Sequence, residues 1–368
     1  MSCLFRFFIV TFCFAAAIVS IGAEKKDDVS AKQKQEQKMN ELEAATVSIA
    51  SSKDGTSQKM IFYAPPGAAI GQKGEPLPLL VMLHTWSGRY DQGMNVLPAV
   101  KRGKWIMVAP DFRGNNDNPQ SCASEYAIQD VLDAVEYAKK NARVDESKIY
   151  LLGLSGGGHM ALMMAAKAPN LWAAVSSWVP ISDLARWHAE NIIKGRGYAK
   201  SMENVCGGPP GKTETDSEYR ARSPIFFLEA AKDLPLDINA GIHDGHSGSV
   251  PISHSLRAFN VLAAANGFKD RLISEDDIVF MTEKEKIPQT LENEKTKDSE
   301  RGRAVLFRRE AGPARITIFE GGHEGDNVAA FKWLARQKKG MPVAWKPDNR
   351  IEGKPSSGDI DSTTQVAQ

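Results

Sequence analysis

Short, unbroken apolar runs alternate with stretches of helical spacing along most of this chain. Leu77–Leu83 is one such run, ending at His84, and Trp105–Ala109 is another, closed by Pro110-Asp111. Between Tyr126 and Asn141 the residues Ile128, Val131, Leu132 and Val135 recur at the spacing of one helix face. Lys148–Leu152 predicts the next strand and Gly156–Ala168 the next helix. Leu171–Val179 and Leu236–His243 follow as strands, His254–Ala265 as a helix, and Arg315–Phe319 as a last strand. Strands apolar on both faces and separated by helices imply an α/β fold, a mostly parallel central sheet with helices on both faces. Val47–Tyr63, with its Lys53-Asp54-Gly55 turn, predicts a leading hairpin.

Two stretches interrupt the alternation. Residues 183–219 hold Trp187, Cys206, Gly207-Gly208 and Pro209-Pro210, and predict a cap segment over the strand ends. Residues 269–311 are about half charged and predict a solvated insertion rather than a binding surface. The ends differ from the domain expected at 46–340. Arg6 followed by an apolar run from Phe7 to Val19 predicts a signal peptide cut near Ala23, hence a secreted or periplasmic protein. The run of about 13 residues is short of the ~20 that a bilayer crossing needs, so no stable membrane insertion is expected, an uncleaved anchor helix being the alternative. Residues 24–45 form a charged leader and 341–368 a loose tail.

Composition narrows the class. The 368 residues are 42% hydrophobic and 25% charged, as in a globular protein. With 46 Lys and Arg against 45 Asp and Glu there is no electrostatic footprint for nucleic acid. Cys3 and Cys13 leave with the signal peptide. In an exported protein the remaining Cys122 and Cys206 are expected to pair as a disulfide, both lying in loops at one edge of the sheet. No HExxH, CxxC or acidic cluster is spaced for a metal, and no cofactor is expected.

The candidate chemistry begins at Gly153-Leu154-Ser155-Gly156-Gly157, a G-x-S-x-G motif where strand gives way to helix. Such a turn projects Ser155 outward as a nucleophile and aims the Gly156 N–H at a developing oxyanion. Among seven histidines, His323 lies in the loop after the last strand, where parallel sheets build their sites, and is the expected base. Asp244, at the end of the penultimate strand, is the expected acid. Asp237, Asp276 and Asp277 are the alternatives: the first sits at the strand's start, the other two in the charged insertion. Trp86, Trp178 and Trp187 fall near these strand ends, where aromatics line acyl pockets, stack on sugars or simply pack.

With these residues in view, the chain resembles the α/β-hydrolases over about residues 60–335, nearest the prolyl oligopeptidase catalytic domains and carbohydrate (acetyl xylan) esterases. The resemblance rests on Gly-Leu-Ser-Gly-Gly, His84-Thr85-Trp86-Ser87-Gly88, Ala109-Pro110-Asp111-Phe112-Arg113-Gly114 and Gly321-Gly322-His323. It implies a triad of Ser155, Asp244 and His323 with an oxyanion hole from the amides of Gly156 and Trp86. Thr85-Trp86 stands where the family has glycines. Aligned on Val250-Pro251, the family's acid position falls on Ser247, with Asp244 three residues earlier. The implied activity is ester hydrolysis, with small acyl groups on polysaccharide as the expected substrate. A peptidase is the alternative, set second because such peptidases carry a propeller and only about 60 residues precede the sheet. A non-catalytic binding protein on the same fold is the third reading.

Overall fold

A computed structural model of the chain describes residues 44–71 and 73–346. The expected signal peptide and nearly all of the expected leader lie outside the described residues. The strands are β1 (Ala45–Ala50), β2 (Ser57–Tyr63), β3 (Leu77–Leu83), β4 (Ile106–Pro110), β5 (Val144–Leu154), β6 (Ala174–Trp178), β7 (Leu236–Gly241), β8 (Val305–Ala311) and β9 (Ala314–Phe319). They form one sheet in the order β1-β2-β4-β3-β5-β6-β7-β9-β8. Strands β4, β3, β5, β6, β7 and β9 run parallel; β2 and the far edge strand β8 run against them, and β1 pairs antiparallel with β2. The fold is that of an α/β-hydrolase.

The helices are α1 (Leu97–Gly103), α2 (Glu125–Asn141), α3 (Gly156–Lys167), α4 (Leu184–Ile193), α5 (Tyr198–Cys206), α6 (Thr213–Ala221), α7 (Ser253–Ala265), α8 (Glu275–Lys284) and α9 (Asn327–Leu334). None among the described residues is long and apolar enough to cross a membrane. Local capping sets several of their starts: Ser124 Oγ accepts from Ala127 N, Asp183 from Arg186 N, Ser274 from Asp277 N and Asp326 from Ala329 N. Two apolar layers sandwich the sheet. Residues of α2, α3, α7 and α8, among them Val131, Leu162, Phe259 and Met281, cover one face. Those of α1 and α9, among them Val100 and Trp333, cover the other. The cap segment folds as α4–α6 over its own small core of Leu184, Trp187, Met202, Val205 and Tyr219.

Three expectations need correction. Residues 269–311 are exposed over much of their length, as expected, but they are not a plain excursion: they supply α8 and the whole of β8, and the Arg301 side chain is buried on Asp237 (3.4 Å) and Asp298 (3.3 Å). Arg315 Nε also donates to Asp237 at 2.8 Å. Burial alone would raise the Asp237 carboxyl, but the two arginines outweigh it and hold it below its ordinary range. High charge density reads as solvent-facing only while the charges are unpaired. Second, Cys122 and Cys206 share the cap core as free, buried thiols, not a disulfide. Burial pushes the Cys206 thiol up to about 12 and that of Cys122 further, so neither holds the thiolate that oxidation needs. Third, the tail is not loose where it is described. Trp345 stacks on Trp333 at 5.5 Å and Ala344 exchanges hydrogen bonds with Gln337.

Candidate active site

Strand β5 ends at Leu154 and α3 begins at Gly156, so one residue makes the turn. Ser155 makes it with φ 58° and ψ −118°, a left-handed conformation that costs a non-glycine residue on the order of 1–3 kcal/mol. The surroundings hold it there: Ser155 N–H donates to Trp178 O on β6 (2.9 Å), and Ser155 O accepts from His159 N (2.8 Å). A Cβ at Gly153 would collide with the Gly157 carbonyl, and one at Gly156 with the Trp86 backbone. Glycine is therefore required at both positions by close approach.

His323 follows β9 in the Gly321-Gly322 loop and reaches back across the sheet edge. Its Nε2 lies 2.8 Å from Ser155 Oγ and its Nδ1 2.7 Å from Asp244 Oδ2. A carboxylate only accepts, so Nδ1 carries the proton, and Nε2 is left to accept from the serine hydroxyl. Ser155 and Asp244 are buried.

The structure places Asp244, in the loop after β7, on the imidazole, and Ser247 makes no hydrogen bond to it. Ser247 Oγ instead donates to His243 O at 3.2 Å. The loop coils back on His243, whose carbonyl also takes the His246 and Ser247 amides. That turn brings Asp244 inward although it stands three positions before Ser247. Gly245 N and Val250 N both donate to Asp244 Oδ1, at 2.8 and 3.1 Å, leaving Oδ2 for His323. Asp237 sits at the other end of β7 on its arginines, and Asp276 and Asp277 are on α8.

Facing the elbow is the turn after β3. Thr85 N–H donates to Gln92 Oε1 (2.8 Å) and Trp86 O accepts from Asn116 N (2.9 Å). The Trp86 N–H, beside Gly156, has no acceptor among the described residues. Trp86, Trp178 and Trp187 are all buried, at 3%, 2% and 0% exposure, so none offers a face to a sugar.

Sequence reasoning misses the role of the cap in bracing this centre. Trp187 of α4 donates through Nε1 to Ser249 O (2.8 Å) and packs edge-on against Trp86 at 4.7 Å. Lys194 donates to Gly245 O, next to Asp244. One cap helix therefore touches both the oxyanion turn and the acid loop. Nothing in local sequence marks these pairs; each joins positions tens of residues apart.

Two histidines behind the elbow are buried. His159 Nε2 donates to Arg222 O at 2.7 Å, while His84 lies between the carbonyls of Thr85 and Asp111 and stacks on Phe112. Burial lowers both, His159 to about 4. Between pH 6.5 and about 4 the unfolded chain therefore takes up a proton on His159 that the folded chain refuses. Stability should fall as pH drops through that window, by up to about 3 kcal/mol from this residue. Chemical denaturation across pH 4–7 checks this: His159→Gln, which keeps an amide donor for Arg222 O, should flatten the slope, and an unchanged slope would refute it.

Comparison with known proteins follows this geometry. The prolyl oligopeptidase family matches residues 99–295, more than half of the chain. An uncharacterised peptidase of Bacillus subtilis, YtmA, is 24% identical over 144 residues, covering 36% of this chain and 54% of that protein. Acylamino-acid-releasing enzyme 1 of rice (Oryza sativa subsp. japonica) is 23% identical over 177 residues, covering 42% and 21%. The chain thus spans about half of the bacterial relative and about a fifth of the plant one. Among solved structures, an acylaminoacyl peptidase in complex with Z-Gly-Gly-Phe-chloromethyl ketone superposes with a TM-score of 0.52 at 18% identity, over 79% of this chain and 40% of that one. The uncomplexed acylaminoacyl peptidase of Pyrococcus horikoshii gives 0.51 at 18% identity, over 80% and 40%. These structures share the fold. These two relatives and two structures carry peptidase or acylamino-acid-releasing names; none of them is named as a polysaccharide esterase.

Proposed function

The chain belongs to the prolyl oligopeptidase family, and from that membership we propose that it is a serine peptidase cleaving amide bonds in short or N-acylated peptides. The observation that carries serine hydrolysis is the single imidazole of His323 held between Ser155 Oγ and Asp244 Oδ2 at 2.8 and 2.7 Å, and the family match favours amide bonds as its target. In the proposed reaction Ser155 Oγ attacks the amide carbonyl while His323 Nε2 takes its proton. The negative charge moves onto the carbonyl oxygen, met by the N–H groups of Gly156 and Trp86. Gly156 opens α3, so the helix dipole adds to its donor. The C–N bond then breaks as His323 returns the proton to the leaving amine. Water, activated by the same imidazole, releases the acyl group from Ser155. Asp244 keeps the Nδ1 proton in place and stabilises the imidazolium throughout.

The expected ester activity on polysaccharide uses the same machinery, but no relative named above supports it. The two readings separate on substrate. The full-length protein should release p-nitroaniline from N-acetylated aminoacyl and dipeptidyl p-nitroanilides and leave acetylated xylan untouched. Acetate release from xylan with no amide cleavage would overturn the peptidase reading.

A further inference from the structure

The loops that carry Asp244 and His323 are fastened to each other beside the site. Ile242 N donates to Phe319 O (2.9 Å) and His243 N to Gly321 O (3.0 Å). A Cβ at Gly241 would collide with the Gly321 and Gly322 carbonyls, so the two backbones are in direct contact. His243 precedes Asp244 by one residue, and Glu320 precedes His323 by three.

The His243 side chain adds a second fastening. Its Nε2 lies 2.7 Å from Glu320 Oε1, on the loop of the base. Its Nδ1 lies 2.7 Å from Glu285 Oε2, the residue that ends α8 in a left-handed conformation (φ 54°). Two carboxylates cannot donate, so an imidazole engaging both must donate from both nitrogens, and that is the imidazolium. The other titratable group on this cluster is His246, whose Nδ1 is 3.5 Å from Glu285 Oε1 and whose Nε2 donates to Thr282 O. Among the described residues no lysine or arginine pairs with Glu285 or Glu320. Deprotonating His243 therefore leaves Glu320 with no cation. The three side chains are partly exposed, so solvent protons reach them freely.

We infer that His243 is a positioning residue for the hydrolytic site, its side chain tying the loop of the acid to the loop of the base while it is an imidazolium and leaving only the backbone bonds to hold them when it loses its proton. This rests on Ser155, His323 and Asp244 being the working triad. Glu285 and Glu320 raise His243 above its ordinary value. The tie is therefore complete below that ordinary value and fails as pH rises through the raised one. The site carries a brake on its alkaline side, separate from the protonation of His323 itself. The pairs are solvent-screened, so the brake is modest, about three- to fivefold.

The test needs no knowledge of the natural substrate. The rate at which a fluorophosphonate probe modifies the full-length protein is followed from pH 6 to 10. The unmodified sequence should show a three- to fivefold fall on the alkaline side. His243→Gln should run at the lower rate throughout and lose that step, with its melting temperature as a check on folding. His243→Lys, which keeps a cation without a titration near neutrality, should restore the higher rate and also lack the step. Glu320→Gln should resemble His243→Gln. A His243→Gln variant that keeps both the rate and the step would overturn the inference. If instead Ser155→Ala labels as fast as the parent, the triad reading itself has failed; the two failures are distinct.

Discussion

Replacing Ser155 by alanine should leave a folded protein with turnover lower by about six decades, the usual consequence of removing the nucleophile from a coupled triad. The fold should survive because the serine side chain's contact in the site is the 2.8 Å hydrogen bond with His323 Nε2. Alanine inherits the same backbone conformation at φ 58°, so the strain of the turn is neither added nor removed. Loss of one hydroxyl hydrogen bond changes stability by about 1 kcal/mol. Melting temperature and p-nitroanilide turnover, measured on the same preparation, check both halves. Residual turnover above about a percent would mean that another group attacks the substrate.

Asp244→Asn should lower kcat by about four decades, the loss associated with holding the base in the wrong tautomer. The surroundings dictate how the new amide sits. Gly245 N and Val250 N both point donors at the Oδ1 position, so the asparagine oxygen must occupy it. Its NH2 is then turned toward His323 Nδ1, which must accept. The imidazole proton moves to Nε2, where it can no longer take the proton of Ser155. Binding of substrate should change little, so the loss belongs in kcat rather than KM. A fall of less than tenfold would show that Asp244 is not what orients His323.

The two variants rest on different kinds of information. The elbow at Ser155 is legible from local sequence, because a strand-to-helix reversal in one residue leaves no room for side chains at Gly153 and Gly156. His323 is legible for a similar reason: a glycine pair after the last apolar strand puts it in a loop at the edge where parallel sheets hold their sites. The acid is less accessible. Aligned on Val250-Pro251, the motif points to Ser247, and only the coil of the loop on His243 O turns Asp244 inward instead.

The chain by itself determined the layered α/β fold, most of its strands and helices though not β8, α1 or α8, and the residues that could supply a nucleophile, a base and an acid. All of these depend on periodicity and turn chemistry acting over a few residues. Tertiary structure decided the rest. It paired Asp298 and Arg301, which sequence reads as part of a solvated insertion, and Arg315 of the last strand into a buried cluster with Asp237. It seated Cys122 and Cys206 as buried thiols, which sequence reads as a disulfide. It set Trp187 and Lys194 against the acid loop and His243 between Glu285 and Glu320. Each of these is a contact between side chains far apart in the chain. Its energy depends on distance, burial and the partner's charge, and composition along a segment carries none of the three.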